Sequence, residues 1–432
     1  MVYLHGEETV SRDELAHLQT QALRETVARA ARSPFYAGRL AECGVTPESI
    51  HSPDDIRRIP FTTKDDLRGS YPYGLVTCPR EELVRLHASS GTTGAATVVF
   101  HTRNDLDRWA DLVARCMYMV GMRPADVFQN MTGYGLFTGG LGMHYGAERL
   151  GCLTVPAGPG NTQRQVNLIR DFGVTAIHVI PSYALHFAGW LEREGIDPRD
   201  LTPRIALIGA EPHTEEARRR IEALLDLRAY NSYGLSEMNG PGVAFECTEQ
   251  QGMHLWEDAF LMEVVDPETL EPLPDGELGE LVLTTLQREG MPILRYRTKD
   301  LTRILPGVCA CGRTHRRIDR ITGRSDDMFI IKGVNIYPMQ IERVLMGFPE
   351  VGQNYLIVLS RAEAIDQLTI KVEIKAEYYR DDPAAMSVLH RRIAHRLRDE
   401  ILVTPGIDLL PPRSIPEAQG KAQRVEDLRN RS

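Results

Sequence analysis

Beyond about residue 70, short apolar runs alternate with segments of helical periodicity, and this alternation constrains the fold more than any other feature of the sequence. The apolar runs include VFQNM, CLTVPAG, TAIHVIPS and RIALIGAEP, and most of them close in small or turn-forming residues. Alternation of this kind is typical of buried strands joined by crossover helices. The sequence therefore predicts an α/β domain built from stacked βα units.

The pattern changes between Trp256 and Leu286, where short strands are separated by acidic turns. LMEVVD and PLPDGELGELVLTTL are the two clearest of these strand segments. Strands joined by short polar turns favour β-hairpins over crossover connections. We expect a β-meander appended to the α/β body.

A further unit begins at about residue 326. It contains the strand-like DMFIIKGVNIYP, NYLIVLSR and LTIKVEIKAE, and the helix-like MQIERVLMGFP and PAAMSVLHRRIAHRLRDEIL. A chain of 432 residues is also too long for one ordinary core. We predict an N-terminal domain over 1–325 and a small α+β C-terminal lid over 326–432. Residues 1 to about 70, at the start of the first domain, are expected to be helical and to end in the polar, turn-rich segment FTTKDDLRGSYPYG.

The overall composition is that of a globular protein, with 42% hydrophobic and 25% charged residues. The amino end lacks the basic-then-apolar order of a signal peptide, and no apolar run approaches the roughly 18 residues of a membrane helix. The net charge of −9 argues against nucleic acid or a membrane surface as partner. We expect a cytoplasmic protein whose seven cysteines form no disulfide framework.

Hydroxyl groups and glycines are concentrated just after His87. The residues concerned are Ser89, Ser90, Gly91, Thr92, Thr93 and Gly94. Their amides and hydroxyls can surround phosphate oxygens, although the glycine spacing is not that of a Walker A loop. Taken alone, the stretch is equally well interpreted as a surface linker.

Four further motifs follow this loop in order. They are Tyr230-Asn-Ser-Tyr-Gly-Leu-Ser-Glu237, Arg295-Tyr-Arg-Thr-Lys-Asp300, Gly323-Arg-Ser-Asp-Asp327 and Gly420-Lys421. The series resembles the core motifs of the adenylate-forming superfamily of acyl-CoA synthetases, peptide-synthetase adenylation domains and luciferases. The segments GYGLFTGGLGMHYGAERLG, GAEP and YGLSEMNGPGVAFEC further resemble the phenylacetate-CoA ligase family, and the resemblance spans about residues 60–425.

The resemblance implies an ATP-dependent ligase that activates an aromatic acid such as phenylacetate and transfers it to coenzyme A; a hydroxy- or amino-substituted benzoate is a further hypothesis that rests on Asn239. The implied ATP and AMP contacts beyond the Ser89–Gly94 loop are Glu211, Pro212, Asn231, Ser232, Tyr233, Gly234, Asp300 and Arg324. Tyr233 would stack on adenine, Glu237 would ligate Mg²⁺, and Asp300 would bind the ribose. Ala95 and Ala96 stand where many relatives have Lys-Pro, so we expect weaker phosphate binding.

Lys421 matches the family's catalytic lysine. A cation that bridges the substrate carboxylate and the α-phosphate stabilises charge in the in-line transition state. The resemblance also implies that Asp326 is the hinge about which the C-terminal domain rotates. Rotation would bring a coenzyme A-binding segment to the site, with Lys332, Gly333, Val334 and Tyr337 as its contacts.

The implied acyl pocket is a flat slot made of aromatic and small residues. Its members are Tyr134, Phe137, Gly139, Ala210, Met238, Asn239 and Gly240. A buried amide needs a hydrogen-bonding partner, so Asn239 suggests a ring with a polar substituent. The alternative is that Asn239 bonds to the backbone and carries no information on the substrate.

Three cysteines and one histidine form a potential zinc site. They are Cys247, His254, Cys309 and Cys311, a set that suits tetrahedral Zn²⁺ and leaves no open position, as in structural sites. Cys43, Cys78, Cys116 and Cys152 have no partner at ligand spacing and are expected to be packing residues.

Three alternative functions, two catalytic and one non-catalytic, remain compatible with the motifs. One is adenylylation without coenzyme A, as in the related synthetases that act on a deazaflavin coenzyme. Another is loading of an aryl acid onto a carrier protein, and a third is a non-catalytic nucleotide-binding module. The resemblance also implies a homodimer.

Overall fold

A computed structural model of the protein describes residues 3–88, 97–331, 334–362, 365–380, 382–416 and 424–429. The chain divides into two compact units. The first contains Met1–Val179, Thr202–Ala210 and Tyr230–Ile321, and the second contains Ile180–Leu201, Glu211–Ala229 and Thr322–Ser432. A functional domain boundary after residue 325 stays a prediction.

The helices are α1 (Arg12–Ala30), α2 (Pro34–Cys43), α3 (Lys64–Gly69), α4 (Arg103–Met119), α5 (Thr138–Leu150), α6 (Thr162–Phe172), α7 (Pro181–Arg193), α8 (Glu215–Leu225), α9 (Pro338–Met346) and α10 (Pro383–Ile401). The strands are β1 (Arg85–Ala88), β2 (Val98–His101), β3 (Val127–Asn130), β4 (Leu153–Val155), β5 (Ala176–Val179), β6 (Ile205–Gly209), β7 (Arg228–Leu235), β8 (Gly240–Glu246), β9 (Met253–Leu255), β10 (Phe260–Val265), β11 (Gly279–Thr285), β12 (Tyr296–Thr302), β13 (Ile304–Leu305), β14 (Arg317–Ile318), β15 (Gly323–Arg324), β16 (Phe329–Ile331), β17 (Val334–Ile336), β18 (Val351–Ala362), β19 (Ile365–Ile374), β20 (Gly406–Leu410) and β21 (Val425–Asp427).

The central sheet of the first unit is mixed, with the order β13-β14-β9-β8-β7-β6-β5-β3-β4. Strands β4, β3, β5 and β6 run parallel, whereas β7, β8, β9, β14 and β13 pair antiparallel. Strands β5 and β6 are buried throughout, as expected of parallel strands covered on both faces. The predicted stacked βα units are confirmed, and each apolar run named above contains one of the parallel strands.

The predicted meander is present, but it extends beyond the predicted segment Trp256–Leu286, because its third strand is β12 at Tyr296–Thr302. Strands β10, β11 and β12 pair antiparallel in sequence order. Outside both sheets, β1 and β2 form an antiparallel hairpin with His87 opposite Val99 and Arg85 opposite His101. The hydroxyl- and glycine-rich residues Ser89–Gly94 connect these two strands and lie outside the described residues.

Helix α5 lies unusually close to α4 because glycine faces it at two positions one turn apart. A Cβ atom on Gly142 would come within 2.4 Å of the Trp109 ring, and one on Gly146 within 2.3 Å of Val113. No side chain fits such a gap without displacing its neighbour. The glycines of the GGLGMHYG segment therefore set the distance between two helices that pack in the main core.

The amino end is tied to a loop late in the chain. A short 3-10 turn, Gly6–Thr9, places the fully buried Glu8 against Arg313, whose Nε donates to the Glu8 carboxylate at 2.7 Å. The Tyr3 hydroxyl donates to the carbonyl of Cys311 at 2.9 Å. The first residues are thus part of the folded core of this unit.

The segment FTTKDDLRGSYPYG, which is expected to be turn-rich throughout, contains a short helix. Residues 64–69 of the segment FTTKDDLRGSYPYG form α3, because Thr63 caps it by accepting from the Asp66 amide while the Asp66 carboxylate accepts from the Thr63 amide. Such a reciprocal capping box stabilises even a short helix. The segment is turn-rich only after Gly69.

The second unit has its own sheet and its own core. Its sheet has the order β20-β19-β18-β21, in which the central pair β18–β19 is antiparallel and the outer pairs are parallel. Helices α9 and α10 contribute Ile341, Leu345, Ile393 and Leu397 to the apolar cluster beside this sheet. The α+β character predicted for the end of the chain is confirmed. No helix of the described residues is long and apolar enough to cross a membrane.

Candidate active site

Two predicted nucleotide-binding residues meet between β7 and β12. The Tyr233 hydroxyl donates to the Asp300 carboxylate at 2.6 Å, and both side chains are more than nine-tenths buried. The main chain of β7 also lies close to β6, where a Cβ atom on Gly209 would meet the Ser232 carbonyl at 2.3 Å. The main-chain N–H of Asn231 donates to the Glu246 carboxylate at 2.8 Å and fixes this part of β7.

Glu237 follows β7 and is held through both its side chain and its main chain. The Tyr296 hydroxyl donates to its Oε1 at 3.1 Å, and the Nη1 of Arg288 donates to its carbonyl at 2.5 Å. Glu237 is 6% exposed, so this carboxylate is largely removed from solvent. A buried, oriented carboxylate suits a metal that takes one or two protein oxygens together with phosphate oxygens.

Residues 238–240 form a strained turn directly after Glu237. Met238 is fully buried in the main core, and Asn239 adopts a left-handed conformation with φ of 83°. Gly240 has φ of 112°, and a Cβ atom there would lie 2.5 Å from that of Thr138. Only glycine satisfies both conditions at position 240, so the sequence dictates the path of this turn.

Tyr134 belongs to a chain of hydrogen-bonded polar side chains in the first unit. Its hydroxyl accepts from Asn130 Nδ2 at 3.1 Å and lies 3.3 Å from His144 Nδ1. Asn130 Oδ1 in turn contacts the Thr132 hydroxyl at 2.8 Å and His178 Nδ1 at 3.1 Å. Burial raises the pKa of Tyr134 and lowers that of His178 to about 4, so both groups are neutral at neutral pH.

The other predicted pocket residues of the first unit are more accessible. Phe137, which precedes α5, is 42% exposed, and Gly139 in its first turn is partly exposed. Ala210 follows β6 in a left-handed conformation with φ of 66°. Their roles as substrate contacts stay predictions.

The hairpin β1–β2 carries two histidines on one face. The rings of His87 and His101 lie 5.7 Å apart and both contact the Trp109 ring. Burial lowers the pKa of His87 and brings that of His101 well below its ordinary value. Both imidazoles are therefore neutral beside the start of the hydroxyl- and glycine-rich loop.

In the second unit, Glu211 is fixed by α7. Its carboxylate accepts from the Ser182 amide at 3.1 Å and from the Ser182 hydroxyl at 3.0 Å, while Pro212 is exposed. Arg324 makes a two-point contact with Asp326 through bonds of 2.9 and 3.0 Å. Asp326, the predicted hinge residue, is exposed, and its ion-pair partner Arg324 is a predicted nucleotide-binding residue.

Several predicted residues lie outside the described ranges: Ser89, Ser90, Gly91, Thr92, Thr93, Gly94, Lys332, Gly333 and Lys421. Of the predicted coenzyme A contacts, Val334 begins β17 and Tyr337 precedes α9. Tyr337 also packs beside Gly323, where an added Cβ atom would lie 3.4 Å from the tyrosine ring. The coenzyme A-binding roles of Val334 and Tyr337 stay predictions.

The predicted zinc ligands converge. The ligand atoms of Cys247, His254, Cys309 and Cys311 all lie within 4.8 Å of one another. Cys247 and Cys309 sulfurs are 3.7 Å apart, close to the roughly 3.8 Å edge of a tetrahedron with Zn–S bonds of about 2.3 Å. His254 Nδ1 lies 2.9 Å from the His315 carbonyl, which directs Nε2 towards the sulfurs, an outer contact typical of metal-binding histidines. The donor set therefore fits zinc.

Sequence reasoning missed Tyr296 and Arg288, which both hold Glu237. Tyr296 could have been found, because buried positions alternate along Tyr296, Thr298 and Asp300 and so place it on the same face as the predicted ribose ligand. Arg288 lies in a loop between β11 and β12, and no local pattern distinguishes it from a surface arginine.

Known proteins resemble this chain over nearly its whole length. Residues 12–287 match the AMP-binding enzyme family and residues 333–429 match the AMP-binding enzyme C-terminal domain. The chain is 48% identical to phenylacetate-coenzyme A ligase of Thermus thermophilus over 99% of this chain and 100% of that one. It is 47% identical to the enzyme of the same name from Pseudomonas putida over 98% and 96% of the two chains. A crystal structure of 2-hydroxyisobutyryl-CoA ligase in the postadenylation state is 30% identical, covers 98% of this chain and 91% of its own, and superposes with a TM-score of 0.92.

Proposed function

The chain belongs to the phenylacetate-CoA ligase family of AMP-binding enzymes, and from this premise we propose that it is an ATP-dependent aryl-CoA ligase. It activates an aromatic carboxylic acid as the acyl-adenylate, releases pyrophosphate, and transfers the acyl group to the thiol of coenzyme A. The observation that carries this proposal is the identity of 45–48% to four phenylacetate-coenzyme A ligases over 98–99% of the chain.

The nucleotide site of this proposal is centred on β7 and β12. Tyr233 stacks on adenine, and Asp300 accepts hydrogen bonds from the ribose hydroxyls. Asn231, Ser232 and Gly234 border the nucleotide from the main chain of β7. The Tyr233–Asp300 hydrogen bond of 2.6 Å supports these roles, because it fixes both groups before ATP arrives. Glu211, Pro212, Arg324 and the Ser89–Gly94 loop are the remaining proposed contacts.

Glu237 is the proposed magnesium ligand. Mg²⁺ supplies charge neutralisation on the phosphate oxygens during adenylation. The Tyr296 bond to Oε1 leaves the second carboxylate oxygen of Glu237 for the ion. Lys421 completes the catalytic charge by binding the substrate carboxylate and the α-phosphate.

The thioester-forming step uses the second set of predicted residues. Asp326 is the proposed hinge, and Lys332, Gly333, Val334 and Tyr337 form the proposed coenzyme A segment. An exposed hinge residue with an exchangeable partner such as Arg324 suits a segment that must change its backbone angles. Coenzyme A is the acceptor named for the four relatives that are 45–48% identical over 98–99% of the chain, whereas a carrier protein is named for a relative that is 28% identical over 45% of it. We therefore propose free coenzyme A as the acceptor.

The acid bound in the pocket is phenylacetate or a benzoate-like acid with a hydroxyl or amino group. Tyr134, Phe137, Gly139, Ala210, Met238, Asn239 and Gly240 are the proposed pocket residues. The Tyr134 hydroxyl, held by Asn130, offers a hydrogen bond that a ring substituent can use. We also propose a cytoplasmic homodimer that carries one structural zinc per chain on Cys247, His254, Cys309 and Cys311.

Pyrophosphate release by the purified protein tests the proposal. The assay contains Mg²⁺, ATP and one of a panel of aryl acids, with and without coenzyme A, and the thioester is identified by mass. We expect turnover with at least one acid and coenzyme A-dependent formation of AMP and aryl-CoA. Pyrophosphate release that is indifferent to coenzyme A would favour adenylylation or carrier loading, and absence of turnover with every acid would contradict the proposal.

A further inference from the structure

A buried arginine lies behind the proposed magnesium ligand. Arg288 is 3% exposed and uses Nη1 to hold the carbonyl of Glu237 at 2.5 Å. Its Nε and Nη2 are equally buried and have no acceptor among the residues that the structure describes. Burial lowers the pKa of Arg288 to about 10, so the guanidinium is still charged at neutral pH. A buried charge with two unused donors calls for a specific role or partner.

The loop that carries Arg288 is fixed from α4. The Asp105 carboxylate accepts from the amides of Glu289 at 2.6 Å and Gly290 at 2.9 Å. The same carboxylate accepts from the Thr102 amide at 3.0 Å, so it is anchored to the start of its own helix. Two bonds directly after Arg288 fix the main chain and direct the guanidinium towards Glu237.

The turn on the other side of this contact also has an unused polar atom. Asn239 is 9% exposed, and its Oδ1 is buried with no donor within the described ranges. Asn239 and Arg288 line one cavity of about 10 Å³, together with Asp105, Arg108 and Thr285. This volume is close to the smallest that holds a water molecule. A water placed there would accept from the Arg288 guanidinium and donate to Asn239 Oδ1, and so would give a partner to both side chains.

We propose that Arg288, joined to Asn239 through one bound water, is a positioning residue that sets the Glu237 carboxylate for magnesium. The inference rests on the proposed function, since it assigns a support to the proposed metal ligand. Arg288 fixes the main chain of Glu237, the water fixes the strained turn at Asn239, and Tyr296 fixes the carboxylate itself. Mg²⁺ demands near-octahedral geometry with bonds of about 2.1 Å, so a small displacement of this turn weakens its binding.

The inference also identifies a hydrogen-bonding partner for the buried side-chain amide of Asn239. Its partner is the Arg288-bound water rather than a polar group on the aryl acid. A polar ring substituent is then recognised by another group of the pocket, such as the Tyr134 hydroxyl.

The test uses Arg288→Met, which keeps the length and bulk of the buried side chain, and Arg288→Lys, which restores one donor. Mn²⁺ binding in the presence of a non-hydrolysable ATP analogue is followed by electron paramagnetic resonance, and pyrophosphate release is measured against free Mg²⁺. We expect about tenfold weaker Mn²⁺ binding and a similar rise in the Mg²⁺ requirement for Arg288→Met. Arg288→Lys gives an intermediate result, and the KM for the aryl acid is unchanged in both.

Arg149→Met, at a surface arginine paired with Asp111, is the matched control and keeps wild-type metal binding. A folded Arg288→Met protein with wild-type Mn²⁺ affinity overturns the inference, as does a KM for the acid that rises as much as the Mg²⁺ requirement. If Arg288→Met does not fold, wild-type metal binding by Arg288→Lys and Asn239→Ala overturns it instead. Failure of the proposed function is seen separately, as a wild-type protein that releases no pyrophosphate.

A high-resolution crystal structure is the second test. It supports the inference if it shows a water molecule between Arg288 and Asn239, and a contact without water there overturns that part of the inference.

Discussion

The hydroxyl of Tyr233 donates to the carboxylate of Asp300 at 2.6 Å, although the two residues are 67 positions apart. They come from β7 of the central sheet and β12 of the meander. A hydrogen bond between these strands therefore ties the two sheets of the first unit together at the proposed nucleotide site. In the proposed function, the same bond positions the Tyr233 ring to stack on adenine and the Asp300 carboxylate to bind ribose.

Tyr233→Phe should weaken ATP binding without unfolding the protein. The ring remains, but Asp300 loses a donor, and a hydrogen bond to a charged group is worth about 1.5–3 kcal/mol. We expect the KM for ATP to rise roughly tenfold, measured as initial rates of pyrophosphate release. Tyr378→Phe, at an exposed tyrosine of the second unit, controls for loss of a hydroxyl. An unchanged KM for ATP would show that Asp300 needs no such support.

Lys421→Ala should separate the two half-reactions. Removal of the proposed bridging cation slows adenylation by about 10²–10³, the cost typical of losing one transition-state donor. Thioester formation from a supplied acyl-adenylate and coenzyme A should stay near the wild-type rate. Lys64→Ala, on α3, is the control. Equal loss in both steps would argue against a role restricted to adenylation.

Loss of one zinc ligand should remove the metal and destabilise the protein. We expect Cys309→Ser to lower the zinc content from one per chain to near zero, as measured by mass spectrometry of metals. Structural zinc contributes several kcal/mol, which corresponds to a fall in Tm of about 5 °C or more at this chain length. Cys43→Ser, in α2, should leave both values unchanged. A wild-type protein that contains no zinc after expression with the metal would refute the site.

Two glycines of α5 should respond oppositely to alanine. Gly146→Ala places a methyl group against Val113 and should destabilise the protein by about 1–3 kcal/mol. Gly139→Ala has nothing within 4 Å and should stabilise the helix by up to about 1 kcal/mol. Thermal unfolding of both variants measures the difference. Equal shifts would mean that α4 and α5 are not held at the observed distance.

The buried His178 should make stability depend on pH. Its pKa is lowered to about 4 by burial, against an ordinary value near 6.5, so the unfolded chain binds the proton first. Stability from this group is complete above about pH 6.5 and falls as the pH decreases towards about 4. His178→Gln should flatten the Tm profile over this range, and His395→Gln controls for the loss of a surface imidazole. An unchanged profile for His178→Gln would contradict the prediction.

The fold was largely predictable because its signals are local. Each parallel strand of the central sheet coincides with an apolar run, and most of these runs end in small or turn-forming residues. The polar segment 266–278 separates β10 from β11. The capping box at Thr63 and Asp66 is also local, and it could have identified α3 within the turn-rich segment.

The support of the site was less predictable because it depends on distant pairs. The Arg288 contact joins residues 51 positions apart, and nothing near Arg288 in sequence points to Glu237. The zinc cluster is also non-local, but the restricted chemistry of cysteine and histidine reveals it without any knowledge of the path between Cys247 and Cys309. Arginine and tyrosine have too many ordinary uses for the same inference.

The pairing of Glu8 with Arg313 imposes an order on the synthesis of the protein. The two residues are 305 positions apart, and ribosomes add roughly 5–20 residues per second, so the partner of Glu8 appears between about 15 and 60 s after it. During that interval Glu8 can pair with Arg115, whose Nε lies 4.0 Å from its carboxylate, but not with the closer Arg313. The first turn therefore reaches its full set of native contacts only after residue 313 has been synthesised.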